Sequence, residues 1–89
     1  MNLNESWGIK TNHNIYKILK SLPRKDSQRI LFIIESFSQN PFSGDIQKMK
    51  GENNIWCRRV GNYRIFYEIK LNERIIYIFN VKRRDSKTY

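Results

Sequence analysis

The sequence predicts an α+β domain: a short N-terminal strand, a helical hairpin, then three to four strands in an antiparallel meander. Three observations carry this expectation. Apolar residues recur at helical spacing from Ile15 to Phe37, the period switches to alternation after Asn40-Pro41, and Gly61-Asn62 sits as a two-residue turn between two strand-like runs. Helices followed by strands, rather than alternating with them, place the helices on one face of an antiparallel sheet.

Each element follows from its residues. Trp7-Gly8-Ile9-Lys10 reads as the first strand, weakened by Gly8. Thr11 or Asn12 supplies a cap, and Ile15, Ile18, Leu19 and Leu22 fall at i, i+3, i+4 and i+7, one stripe on a helix. Pro23 suits the first turn of a second helix, with an apolar face of Ile30, Leu31, Ile33, Ile34 and Phe37. Asn40-Pro41 and Ser43-Gly44 stop it. Ile46–Lys50, Ile55–Val60, Tyr63–Lys70 and Arg74–Arg83 then read as strands, with Asn72-Glu73 as a second, weaker turn.

Composition limits the function. Eighty-nine residues suit one small domain, residues 1–89. Five Tyr, five Phe and two Trp supply enough core to fold it. No apolar run approaches the roughly 18–20 residues of a membrane span, and Met1–Lys10 lacks a signal peptide's apolar stretch. Cys57 stands alone, which excludes an internal disulfide and a cysteine-built zinc site and fits the cytoplasm. Seventeen Lys and Arg against eight Asp and Glu give a charge of +9, an excess that points to a polyanion, nucleic acid foremost and an acidic protein next.

Strand register turns the arginines into a geometric expectation. A Gly61-Asn62 turn pairs Val60 with Tyr63 and sets Arg59 opposite Arg64. If Asn72-Glu73 also turns in two residues, Arg64 faces Val81 and Asn62 lies level with Arg83. Cys57, Arg59, Arg64, Phe66, Glu68, Tyr77, Phe79, Val81 and Arg83 then share one face. Arg58, Ile65, Tyr67, Ile69, Ile76, Ile78 and Asn80 share the other, the more aliphatic one, which should meet the helices. Arg59, Arg64 and Arg83 would so converge on one open face, where like charges cost stability unless a function uses them. A slip of one residue would move Arg83 to the opposite face, and arginines fanning separately into solvent are the alternative.

The residues that carry a family likeness are Lys48-Met49-Lys50-Gly51, the run Trp56-Cys57-Arg58-Arg59-Val60-Gly61-Asn62-Tyr63-Arg64-Ile65-Phe66-Tyr67-Glu68-Ile69, and the end Val81-Lys82-Arg83-Arg84 with Tyr89 last. The chain resembles the RelE/ParE superfamily of toxins from type II toxin–antitoxin modules, its RelE branch more closely, from Trp7 to Tyr89. The resemblance implies a ribosome-dependent, metal-independent messenger-RNA endonuclease, an enzyme without cofactor whose nucleophile is the RNA's own 2′-hydroxyl. By position, Arg59, Arg64, Arg83 and Tyr89 would be catalytic. Arg64 would stabilise the phosphate and Tyr89 stack on or orient a base. Lys48, Lys50, Arg58, Lys82 and Arg84 would contact RNA. The implied partners are an acidic antitoxin, the ribosome and mRNA, with no membrane and no small-molecule cofactor. A ParE-like inhibitor of DNA gyrase and a non-catalytic RNA-binding module are the alternatives.

Several residues qualify this picture. Relatives often carry a basic residue where this chain has Cys57; either a bulge recruits Arg58 or the site works with fewer cations. Cys57 reads as a small strand residue rather than a nucleophile, although adjacent arginines could lower its pKa. His13 reads as a helix-start residue, Glu68 as a charge partner, and Trp7 and Trp56 as packing. Phe66, Phe79 and Tyr77 would line an apolar groove for the antitoxin.

Overall fold

The computed structural model describes residues 6–84. Its order is β1 (Gly8–Thr11), α1 (Asn14–Ser21), α2 (Arg24–Ser36), β2 (Ile46–Lys48), β3 (Ile55–Val60), β4 (Tyr63–Lys70) and β5 (Ile75–Arg83). The five strands form one sheet in the order β1-β5-β4-β3-β2. β2 to β5 are the expected antiparallel meander, and β1 adds at the far edge parallel to β5, so the sheet is mixed. The strand expected over Ile46–Lys50 ends at Lys48, and β5 begins at Ile75 because Arg74 takes a left-handed φ of 52° in the preceding turn.

Local chemistry explains the hairpin of helices. The Asn12 side-chain oxygen accepts the N–H of Asn14 at 3.1 Å, satisfying one of the open donors of the α1 N-terminus. Pro23 holds an extended ψ of 141° and its carbonyl opens α2 by accepting the N–H groups of Asp26 and Ser27. Ser27 then donates its hydroxyl back to the Leu19 carbonyl, tying the start of α2 to the end of α1. After α2, the Asn40 side chain accepts the N–H of Phe42 at 2.9 Å, an Asx turn that re-aims the chain toward β2.

The helices cover one face of the sheet. Ile15, Leu19, Ile30, Ile34 and Phe37 meet Val60, Tyr63, Ile65, Tyr67, Ile69, Ile76, Ile78 and Val81 in one apolar core. Leu31, expected on the buried face of α2, is 43% exposed instead, so the packed stripe is narrower than the apolar one. Tyr67 is fully buried against Phe37, with ring centroids 4.5 Å apart, and donates its hydroxyl to the Pro41 carbonyl at 2.9 Å. Trp7 packs under the Arg74 guanidinium at 4.3 Å and pins β1 through its N–H bond to Ser38.

One irregularity reorganises the open face. The β4–β5 register runs as expected from Lys70↔Ile75 to Tyr67↔Ile78, then shifts, so that Phe66 pairs with Asn80, Ile65 with Val81, Arg64 with Lys82 and Tyr63 with Arg83. Phe79 is the extra residue of a β-bulge. The cause lies in the core: without the bulge Asn80 would enter the helix-covered face and Val81 would leave it. With it, Val81 is buried at 4% exposure.

Candidate functional site

The bulge decides which cations meet. Across β3, β4 and β5 the pairs Arg59↔Arg64 and Arg64↔Lys82 set three cationic residues side by side on the open face. Neighbours in such a row have Cβ atoms about 4.5–5.5 Å apart. The expected Arg59–Arg64 pair is present. Arg83 is not its third member. The shift turns Arg83 to the helix side, where its guanidinium lies 5.8 Å from the Tyr63 ring centre, and Lys82 takes its place. The expected places of Val81 and Asn80 are exchanged for the same reason.

Among the described residues, one carboxylate enters this row. The Arg59 backbone N–H donates to the Asp45 carbonyl at 2.9 Å, and Arg59 Nε and an Nη donate to the two Asp45 carboxylate oxygens at 3.2 and 3.3 Å. The fork fixes the guanidinium plane and leaves its remaining N–H edge for another anion. Sequence reading missed Asp45, because its approach depends on how the Ser43–Asp45 turn folds back beside β3. Arg84 donates to the carbonyls of Asn62 and Gly61, holding the β3–β4 turn.

Other expected contacts separate. β3 has no bulge, so Arg58 stays on the helix side opposite Ile65. There it reaches the Ser43 carbonyl at 3.5 Å and fills the space over Gly44, which adopts a φ of 88°. It is not recruited to the open face. Lys48 and Lys50, with Gln47, Cys57, Arg64 and Phe66, line an open groove of about 500 Å³ beside the cationic row. Tyr89 lies outside the described residues. His13 precedes α1, at the start of the helical hairpin, and Glu68 pairs with Ile55 and Tyr77, two rows from Arg64.

Cys57 is buried below the row, and burial pushes its thiol pKa up from 9.0. Arg64, Arg59 and Arg84 pull it down, as the sequence suggested they could, and Asp45 pushes it up; burial outweighs the arginines. Burial thus favours the neutral form of the thiol beside the cationic row. Phe66, Phe79 and Tyr77 continue the open face as a ladder of half-buried rings, with centroids 6.3 and 6.4 Å apart.

A helical hairpin on one side of such a sheet is the architecture this chain shares with RelE-type toxins of known structure. The chain belongs to the family whose model describes the ParE toxin of the type II toxin–antitoxin system parDE, which matches residues 10–87. Its relatives place it in the RelE-like branch of the RelE/ParE superfamily. It is 46% identical to Toxin RelE3 of Methanocaldococcus jannaschii over 57 residues, 60% of this chain and 65% of that one. Among solved structures it is similar to the RelE of the archaeal RelE–RelB complex from Pyrococcus horikoshii OT3, with a TM-score of 0.79, 25% identity and coverage of 89% of this chain and 96% of that one. It is also similar to the RelB–RelE antitoxin–toxin complex from Methanococcus jannaschii, with a TM-score of 0.71, 32% identity and coverage of 86% and 92%.

Proposed function

We propose that this RelE-like toxin is a messenger-RNA endonuclease acting on the ribosome in the cytoplasm. The observation that carries the reading is the row Arg59–Arg64–Lys82. Like charges set side by side cost stability, and a phosphate between them turns that cost into binding.

The chemistry suits the row. The 2′-oxygen of a ribose attacks the adjacent phosphorus, the bond from phosphorus to the 5′-oxygen breaks, and a 2′,3′-cyclic phosphate and a 5′-hydroxyl result. The proton leaves the 2′-hydroxyl and one is gained by the 5′-oxygen. Negative charge builds on the non-bridging oxygens, where Arg64 and the free edge of Arg59 stabilise it, and Lys82 holds the same phosphate or the next. Aligning the 2′-oxygen with the leaving oxygen supplies further rate. Guanidinium stabilisation of this kind requires no metal. Lys48, Lys50 and Arg84 extend the track for RNA phosphates, and an acidic antitoxin covering this face would silence the site by neutralising it.

The test adds purified protein to ribosomes translating a defined message and maps new 5′ ends by primer extension. In-frame cuts within occupied codons, lost in Arg64→Ala, are expected; intact messages with wild-type protein would refute the endonuclease. A second reading, a gyrase inhibitor, is supported by the ParE description of the matching family. Inhibition of supercoiling without any RNA cleavage would favour it.

A further inference from the structure

We propose that Phe66 is a base-stacking platform: the base of a single-stranded RNA nucleotide lies on its ring while that nucleotide's phosphate sits at Arg64. The inference rests on the endonuclease reading and assigns it a nucleotide subsite.

The sheet places the two side chains for this purpose. Arg64 and Phe66 are two residues apart on β4 and share the open face, a step of about 6.6–6.8 Å along the strand. One nucleotide spans such a step between its phosphate and its base. Phe66 also forms a wall common to two grooves. On one side lies the cationic groove of about 500 Å³ with Lys48, Lys50 and Arg64. On the other lies a groove of about 430 Å³ lined by Met49, Glu52, Ile55, Phe79, Asn80 and Lys82, where Lys82 at the end nearer Arg64 is the cation and Glu52 the one acidic residue of the lining. The ring is half-buried, so it is held in place yet keeps surface to offer.

The bulge contributes two further features. Because Phe79 is the extra residue, its ring joins Phe66 at 6.3 Å with a tilt of 34°, widening the aromatic surface. Asn80 then pairs with Phe66 on the same face, and its Oδ1 accepts the Val81 N–H at 2.9 Å. The amide nitrogen is left as the donating end for an acceptor on a base edge. Cations on both sides of an aromatic wall match single-stranded nucleic acid, whose phosphates and bases alternate. A purely apolar protein segment would use the rings but not the cations; an acidic antitoxin segment would meet both, and the experiment separates that occupant from RNA.

The experiment uses ribosomes programmed with one message and three derivatives, each carrying an abasic nucleotide at one position of the occupied codon. Single-turnover cleavage is measured for the full chain and for F66L and F66Y. Wild type should cleave one derivative about 5- to 150-fold more slowly than the intact message, the usual worth of one base–aromatic stack. F66L should be slowed by the same factor on the intact message and be indifferent to that abasic position. F66Y, which keeps the ring, should recover most of the rate lost in F66L together with the positional penalty, a rescue that a merely misfolded F66L would not predict. Equal wild-type rates on all four messages would overturn the platform while leaving the endonuclease standing, as would F66L retaining the positional penalty. F66L that cleaves normally but escapes inhibition by the antitoxin would reassign the rings to protein docking. No cleavage by wild type would end the endonuclease reading, and the platform with it.

Discussion

Asp45 grips Arg59 at three points: carbonyl to backbone N–H at 2.9 Å, and carboxylate to Nε and Nη at 3.2 and 3.3 Å. The side chains are 38% and 58% exposed, so the pair itself contributes no more than about 1 kcal/mol to stability. Its effect is on aim. Asp45→Ala should leave the urea midpoint nearly unchanged and slow RNA cleavage about 10-fold or more, because a guanidinium free to swing no longer waits where charge develops. Arg59→Lys should do the same, since an ammonium cannot reproduce the fork. Asp45→Ala cutting at the wild-type rate would show that Arg59 needs no support.

The bulge at Phe79 has its own stability signature. Val81 is buried over Ile65, whereas Asn80 is half-buried on the open face. Val81→Ser should therefore cost about 2–3 kcal/mol through lost burial and a hydroxyl placed among aliphatic groups. Asn80→Ser should cost under about 1 kcal/mol. Urea denaturation of the two variants reads the difference directly. A reversed order would mean the register runs without the bulge.

That same bulge marks where the sequence stopped being legible. Gly61-Asn62 fixed β3 against β4 because a two-residue turn leaves one register, and Val60↔Tyr63 and Arg59↔Arg64 follow from it. Asn72-Glu73 fixed only the near half of β4–β5. The signal for the far half was present: Ile76 and Ile78 alternate inward, Asn80 breaks the pattern and Val81 resumes it one residue late. Uniform alternation overlooked it and sent Arg83 to the wrong face. Asp45 and the parallel pairing of β1 with β5 left no local trace, since both depend on segments far apart in the chain. Leu31 shows the reverse error: helical spacing names an apolar face but not how much of it the sheet can cover.

Alkaline pH should loosen the fold. Burial raises Cys57 above 9.0, and the hydrogen bond to Asp26, 2.7 Å from the Tyr63 hydroxyl, raises Tyr63 above 10.0. Burial raises Tyr67 further. Each group keeps its proton more tightly when folded, so its stabilising contribution is complete below its ordinary value and is lost as pH rises through the folded one. Urea midpoints under reducing conditions should therefore hold steady up to about pH 9 and fall above it. Tyr67→Phe should shallow that fall. It should also cost about 1–2 kcal/mol at neutral pH by leaving the Pro41 carbonyl without its donor. An alkaline slope identical in wild type and Tyr67→Phe would count against the buried hydroxyl as a source.

The register also separates Lys82 from Arg83, two adjacent cations that sequence alone treats alike. Lys82 stands beside Arg64 in the open row; Arg83 stands over Tyr63 on the helix side. Each phosphate contact on single-stranded RNA contributes about 0.7 to the slope of log affinity against log salt. Anisotropy titrations with a short single-stranded RNA should thus show Arg64→Ala and Lys82→Ala each flattening the slope by about that amount. Arg83→Ala should leave the slope close to wild type, although it removes the same formal charge. Long-range attraction falls off over about 8–10 Å at such ionic strengths, so charge lost on the far face is screened from RNA in the groove. Cleavage should follow the same order, with Lys82→Ala slower than Arg83→Ala. Equal loss of slope in Lys82→Ala and Arg83→Ala would mean that RNA meets both faces at the end of β5, and the proposed site would have to be redrawn around the edge of the sheet.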